Sequence, residues 1–120
     1  MNITVKLPKL PPPLSACYTN VRGRGRVKTK RYREWINLCS PCLYGHKFIT
    51  GKVCVEYSFF RPDKRKRDLG NLEKALSDLL TGKLIEDDSM IEDLRLSWAK
   101  QDCAVLIKIK GFEDGENISG

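Results

Sequence analysis

The residue types with the most chemical potential lie in one run, Lys64-Arg65-Lys66-Arg67-Asp68-Leu69-Gly70-Asn71-Leu72-Glu73-Lys74. Four cations lead into a carboxylate, and a second acidic cluster, Glu86-Asp87-Asp88, follows. Cations neutralise phosphates and position a nucleic acid without reading its sequence. Carboxylates hold magnesium, which takes one or two of them together with water and phosphate oxygens. Bound metal activates a water and stabilises a leaving oxygen, and a lysine neutralises developing charge. Asp68, Asn71, Lys74, Asp87 and Asp88 therefore make a candidate phosphodiester-cleaving set. At helical spacing Asp68 and Asn71 share a face, with Lys74 nearer that face than the opposite one. On spacing alone a plainer reading also stands: Asp68 caps a helix while Asp87 and Asp88 decorate a turn.

The charge distribution supports a polyanion partner. Net charge is +7, and residues 1–67 hold 16 Lys/Arg against 3 Asp/Glu, whereas residues 68–120 hold 6 against 12. A basic half beside an acidic half fits a phosphate-binding surface next to a cation-binding pocket. Seven cations fall between Arg22 and Arg33: Arg22, Arg24, Arg26, Lys28, Lys30, Arg31 and Arg33. A second group is Arg61 with Lys64, Arg65, Lys66 and Arg67. Tyr32 and Trp35 beside the first group could pack on sugars or bases.

A third set is Cys39-Ser40-Pro41-Cys42 with His46, and Cys54 as a fourth candidate zinc ligand. Cysteine is also among the most often buried residues, so structural thiols are the plainer reading. Five cysteines is an odd number, which argues against a disulfide framework. No signal-peptide pattern and no apolar run of about 20 residues is visible, which points to a soluble intracellular chain with no membrane partner.

These groups need positioning elements. Ile3, Val5 and Leu7 alternate as a first strand, closed by Pro8 and by Pro11 to Pro13. The segment from Arg22 to Arg31 reads as a flexible basic loop. A helix begins near Thr29 or Lys30, runs through Tyr32, Trp35, Ile36 and Cys39, and kinks or ends at Pro41. Residues 45–51 read as a loop. Val53, Val55, Tyr57 and Phe59 mark a second strand, ended by Pro62. Leu69, Leu72, Leu76, Leu79 and Leu80 form one helical face, with Asp68 as N-cap or first-turn residue and Gly82 as the stop. Further strands fall within 91–98 and around Val105, Ile107 and Ile109. The fold class is α/β (α+β): a single small domain over residues 1–112, with a mixed sheet of about four strands packed against two main helices. Residues 113–120 read as a disordered acidic tail.

The run from Arg65 to Leu76, followed by Ile85-Glu86-Asp87-Asp88, resembles the RusA-type Holliday junction resolvases, small endodeoxyribonucleases that are often prophage-borne. The pattern is basic residues, then Asp-x-Asp-Asn-x-x-Lys, a hydrophobic helix and an Asp-Asp pair. An early Leu7-Pro8, a proline pair, a tyrosine and an Arg-Gly-Arg loop match as well, so the resemblance covers roughly residues 3 to 110. It implies a bacterial or phage-encoded homodimer acting in DNA recombination and repair. Such a dimer binds four-way junction DNA and cuts two opposed strands with magnesium or manganese, without a small-molecule cofactor. By position Asp68 and Asp88 are metal ligands, with Asp87 beside them, and Lys74 is the catalytic lysine. The basic clusters, with Asn71, hold DNA. Phe59, Phe60 and Trp98 are candidates for the subunit surface. Gly70 departs from the pattern, which places a metal-binding aspartate there, so impaired cleavage is expected. A non-catalytic junction-binding protein is the alternative, and Glu73 and Asp63 are nearby candidates to substitute, although neither sits at the matching position.

Overall fold

The structure is a computed structural model, and it describes residues 2–112. The acidic tail expected at residues 113–120 lies outside the described residues. A four-stranded mixed sheet forms the frame, in the order β1-β6-β4-β5. Strand β1 (Asn2–Leu7) pairs antiparallel with β6 (Val105–Gly111), and β6 pairs antiparallel with β4 (Val53–Phe59). Strand β5 (Ile91–Trp98) runs parallel to β4. A parallel pair cannot be joined by a tight turn, and α2 (Gly70–Leu80) supplies the crossover. The period-2 apolar residues explain the strands. Ile3, Val5, Leu7, Val53, Val55, Tyr57, Phe59, Val105, Ile107 and Ile109 are all buried in one core.

Helix α1 (Lys30–Cys39) starts where Thr29 Oγ1 accepts a hydrogen bond from Tyr32 N at 3.2 Å, as an N-cap does. It gives way at Ser40 to a 3-10 turn through Leu43, with Pro41 in the first turn. Its Trp35 donates from Nε1 to Lys9 O at 2.9 Å, which pins the proline segment. In α2, Leu72, Ala75, Leu76, Leu79 and Leu80 are buried, while Asn71 and Lys74 are exposed. A buried hydroxyl pair, Tyr57 Oη and Ser77 Oγ at 3.0 Å, fixes α2 on β4. No helix of the described residues is long and apolar enough to cross a membrane.

Three expectations change. The loop expected over 22–31 is a β-hairpin of β2 (Tyr18–Val21) and β3 (Gly25–Lys28). Its strands are largely exposed, so no apolar alternation marks them, and Gly23 and Gly25 make the turn at φ +81° and +73°. Phe59 is fully buried at the end of β4 and is no surface candidate, in contrast to Phe60, which is 43% exposed. Asp68 precedes α2 and is not on its face.

Leu76 has no solvent exposure and sits where α2 meets the sheet. Leu76→Ala is expected to lower unfolding free energy by about 2–5 kcal/mol in urea titrations, with the slope unchanged.

Candidate active site and nucleic-acid interface

The entry to α2 is built around Asp68. Its Oδ1 accepts from Gly70 N at 2.9 Å, and its carbonyl accepts from Asn71 N at 3.0 Å. The carboxylate therefore satisfies one of the N–H groups a helix start leaves without a partner. It nevertheless stays exposed, so the cap and an available carboxylate coexist.

One turn further, Lys74 reaches across to the short 3-10 turn Asp88–Met90. Its Nζ is 2.9 Å from Asp88 Oδ2 and 3.2 Å from Asp78 Oδ1. The hydrogen bond from Lys74 holds the Asp88 carboxyl below the ordinary carboxylate range, and Asp88 with Asp78 raises the lysine. Asp78 was not expected at the site, although its i,i+4 spacing from Lys74 is a readable signal. Asp87 turns inward on its own segment: Oδ1 accepts from Asp88 N at 2.8 Å and Oδ2 from Ser89 Oγ at 2.8 Å. Glu86 of the same cluster accepts from Gly51 N at 2.7 Å and ties the loop before β4.

Glu73 and Asp63, the nearby candidates to substitute at position 70, both have protein partners. Glu73 is hydrogen-bonded to Ser77 Oγ, toward the core. Asp63 grips Arg67 through both oxygens, at 2.7 and 3.2 Å, and accepts from Arg65 N at 2.9 Å. The Arg67 hydrogen bond foremost lowers the Asp63 carboxyl to about 2. Arg67 is thereby a brace of the basic arm, with two of its guanidinium N–H groups engaged.

Gly70 itself is not required by the backbone, because it is absent from the positive-φ glycines. A Cβ built there would meet Asp68 Oδ1 at 3.3 Å. A side chain at position 70 would require Asp68 Oδ1 to give by a few tenths of an ångström. No group of three or more His, Cys, Asp or Glu side chains that could hold a metal ion is present among the described residues. The same holds for the zinc set. Cys39 is buried, which pushes its thiol up to about 12, whereas His46 is exposed, and Cys39, Cys42 and His46 do not form a ligand group.

The cations occupy two arms. Arg22, Arg24, Arg26 and Lys28 are exposed on the β2–β3 hairpin, where the Arg26 guanidinium lies 4.1 Å above the Tyr18 ring. Lys30 and Arg31 are exposed in the first turn of α1, and Lys64, Arg65 and Lys66 on the arm before Asp68. A cleft of about 580 Å³ runs between Arg31 and the arm before Asp68, lined in part by Arg31, Arg65, Lys66, Arg67, Asp68 and Asn71. It also brings in Lys9 and Phe60, which sequence reading did not place at the site; their signal is tertiary.

The Lys74–Asp88 tie has a titratable signature. A carboxyl with a depressed pKa keeps its stabilising charge above the unfolded value, near 3.9, and loses it as pH falls through the lower folded value. Carboxyl NMR titration should place the Asp88 midpoint below 3.9, and Lys74→Gln should move it upward. An unmoved midpoint would show that the ion pair does not persist in solution.

The family model described as "Endodeoxyribonuclease RusA" matches residues 16–110. The protein named "Crossover junction endodeoxyribonuclease RusA" from Aquifex aeolicus (strain VF5) is 28% identical over 119 residues, covering 92% of this chain and 93% of that protein. Asp68 lines a cleft with Arg31, Arg65, Lys66 and Arg67, and Lys74 is paired with Asp88 on the same helix–turn unit. The chain belongs to the RusA family of endodeoxyribonucleases.

Proposed function

We propose that this chain acts on four-way DNA junctions as a homodimer, in recombination and repair, and that its phosphodiester cleavage is impaired by Gly70. The observation that carries this reading is the position of Gly70. A Cβ there would lie 3.3 Å from Oδ1 of Asp68, which lines a cleft walled by Arg31, Arg65 and Lys66. Asp68 and Asp88 are the carboxylates that would face a divalent cation, magnesium or manganese, with Lys74 already bridged to Asp88. Two arms of cations suit a branched polyanion, since each phosphate contact adds affinity and salt dependence.

A second reading is favoured by the same residue. Lys74 balances both Asp78 and Asp88, and Gly70 removes one charge that would repel phosphates. Junction binding then proceeds without cleavage, as a non-catalytic member of the fold would bind.

Gly70→Asp separates the two. The backbone at position 70 does not have positive φ, and a carboxylate suits a helix N-terminus. Asp68 is exposed and has room to turn aside. On a synthetic four-way junction with magnesium, Gly70→Asp is expected to cut about 10²-fold faster than the unaltered chain. A folded variant that binds the junction yet cuts no faster would leave only the binding reading.

Asp63 offers an independent check on the basic arm. Asp63→Ala adds one unit of positive charge, so simple electrostatics predicts tighter binding. Loss of the Arg67 brace predicts the reverse, and junction affinity in gel-shift titrations should fall several-fold. Tighter binding would show that the brace does not order the arm.

A further inference from the structure

The cleft beside Asp68 has a second character besides charge. Leu10, Phe60, Leu72 and Ala104 line it together with Arg31, Arg65 and Lys66. Its volume, about 580 Å³, is that of small-ligand sites, which run roughly 300–1,000 Å³. Phe60 is a large aromatic left 43% exposed there, although its neighbour Phe59 is wholly buried. Its backbone is fixed: Phe60 N donates to Ala104 O at 3.0 Å, directly after the last pair of β4 with β6. The following residue is held elsewhere, with the Arg61 guanidinium 4.3 Å from the Trp98 ring centroid. The aromatic is therefore carried on a rigid strand end, inside a cationic rim.

From this combination we propose that the cleft receives one unstacked nucleotide of the DNA strand lying against Asp68, with its base on Phe60 and its phosphates on Arg31, Arg65 and Lys66. The inference rests on the junction-binding reading and specifies a subsite within it. A base offers an aromatic ring an apolar face of any sequence, and the flanking phosphates complement the cationic rim. Base stacking interrupted at a strand crossover lowers the cost of drawing one nucleotide out. Asn71, also in the cleft, has an amide that both donates and accepts, which suits the edge of the captured base. The pocket would hold the nucleotide in register with Asp68, so that Phe60 positions the strand without touching the reacting phosphate. A second subunit seated on Phe60 is the competing occupant, and the cationic rim disfavours it because a second copy would bring the same like charges.

The test uses the full chain and immobile four-way junctions carrying 2-aminopurine at successive positions next to the crossover, in chelator so that no strand is cut. At one position, fluorescence should rise several-fold on binding, as the base leaves its stack. Phe60→Ala should abolish that rise and weaken binding about tenfold, while Phe60→Trp retains both. Circular dichroism checks that each variant folds. Junction binding by the unaltered chain with no fluorescence change at any position would overturn the nucleotide pocket and leave the junction reading intact. No junction binding at all would remove both. A Phe60→Ala chain that keeps the fluorescence rise but sediments as a smaller species would assign Phe60 to the subunit contact and overturn the proposal.

Discussion

Everything at the site depends on the two-sidedness of α2. One face puts Leu72, Leu76, Leu79 and Leu80 into the core, and burial of such side chains contributes about 1.5–3 kcal/mol each. The opposite side carries Asn71, Lys74 and Asp78 toward solvent or half-buried. The helix cannot rotate without exposing leucines. The Tyr57–Ser77 hydroxyl pair adds a directional restraint, because a buried polar atom that loses its partner is costly. Apolar packing thereby fixes the orientation of the polar face, and with it the distance from Lys74 to Asp88.

Most of the acidic side chains around that face already have protein partners. Asp68 caps the helix, Asp87 caps its own turn, Asp88 and Asp78 share Lys74, and Asp63 braces Arg67. Exposed pairs of this kind add little stability singly, in the range of 0–1 kcal/mol. Their effect is on geometry, since each holds a charge in one place. These partners fix the direction in which each carboxylate points.

The cations divide in the same way. Arg67, Arg26 and Arg61 are engaged by Asp63, Tyr18 and Trp98 respectively. Those contacts stiffen the arm and the hairpin. Lys64 and Lys66 stay exposed beside Asp68, as do Arg22 and Arg24 at the hairpin tip, and Arg65 is exposed with its guanidinium 3.9 Å from Asp63 Oδ2. Exposed cations on a braced frame suit phosphates, whose contacts position a nucleic acid without reading its sequence.

The four strands of the main sheet, both main helices and the apolar face of α2 were legible in the order of residues alone. Period-2 and period-3.6 burial is written directly in Val53 to Phe59 and in Leu72 to Leu80. The sequence also held the acidic motif, the basic clusters and the departure at Gly70, because these are matters of residue type and spacing. The hairpin stayed hidden, since exposed strands of Arg, Lys and Thr carry no apolar alternation. The partners of Asp63, Glu73 and Asp78 lie four residues away along the chain, whereas the ties of Asp88 to Lys74 and of Glu86 to Gly51 N were decided by the fold, which brings distant stretches within about 3 Å. So was the cleft: Pro8 to Pro13, Phe60, Arg31 and Asn71 come from four separate stretches of chain. Only the sheet order and the pinning of the proline segment by Trp35 bring them together.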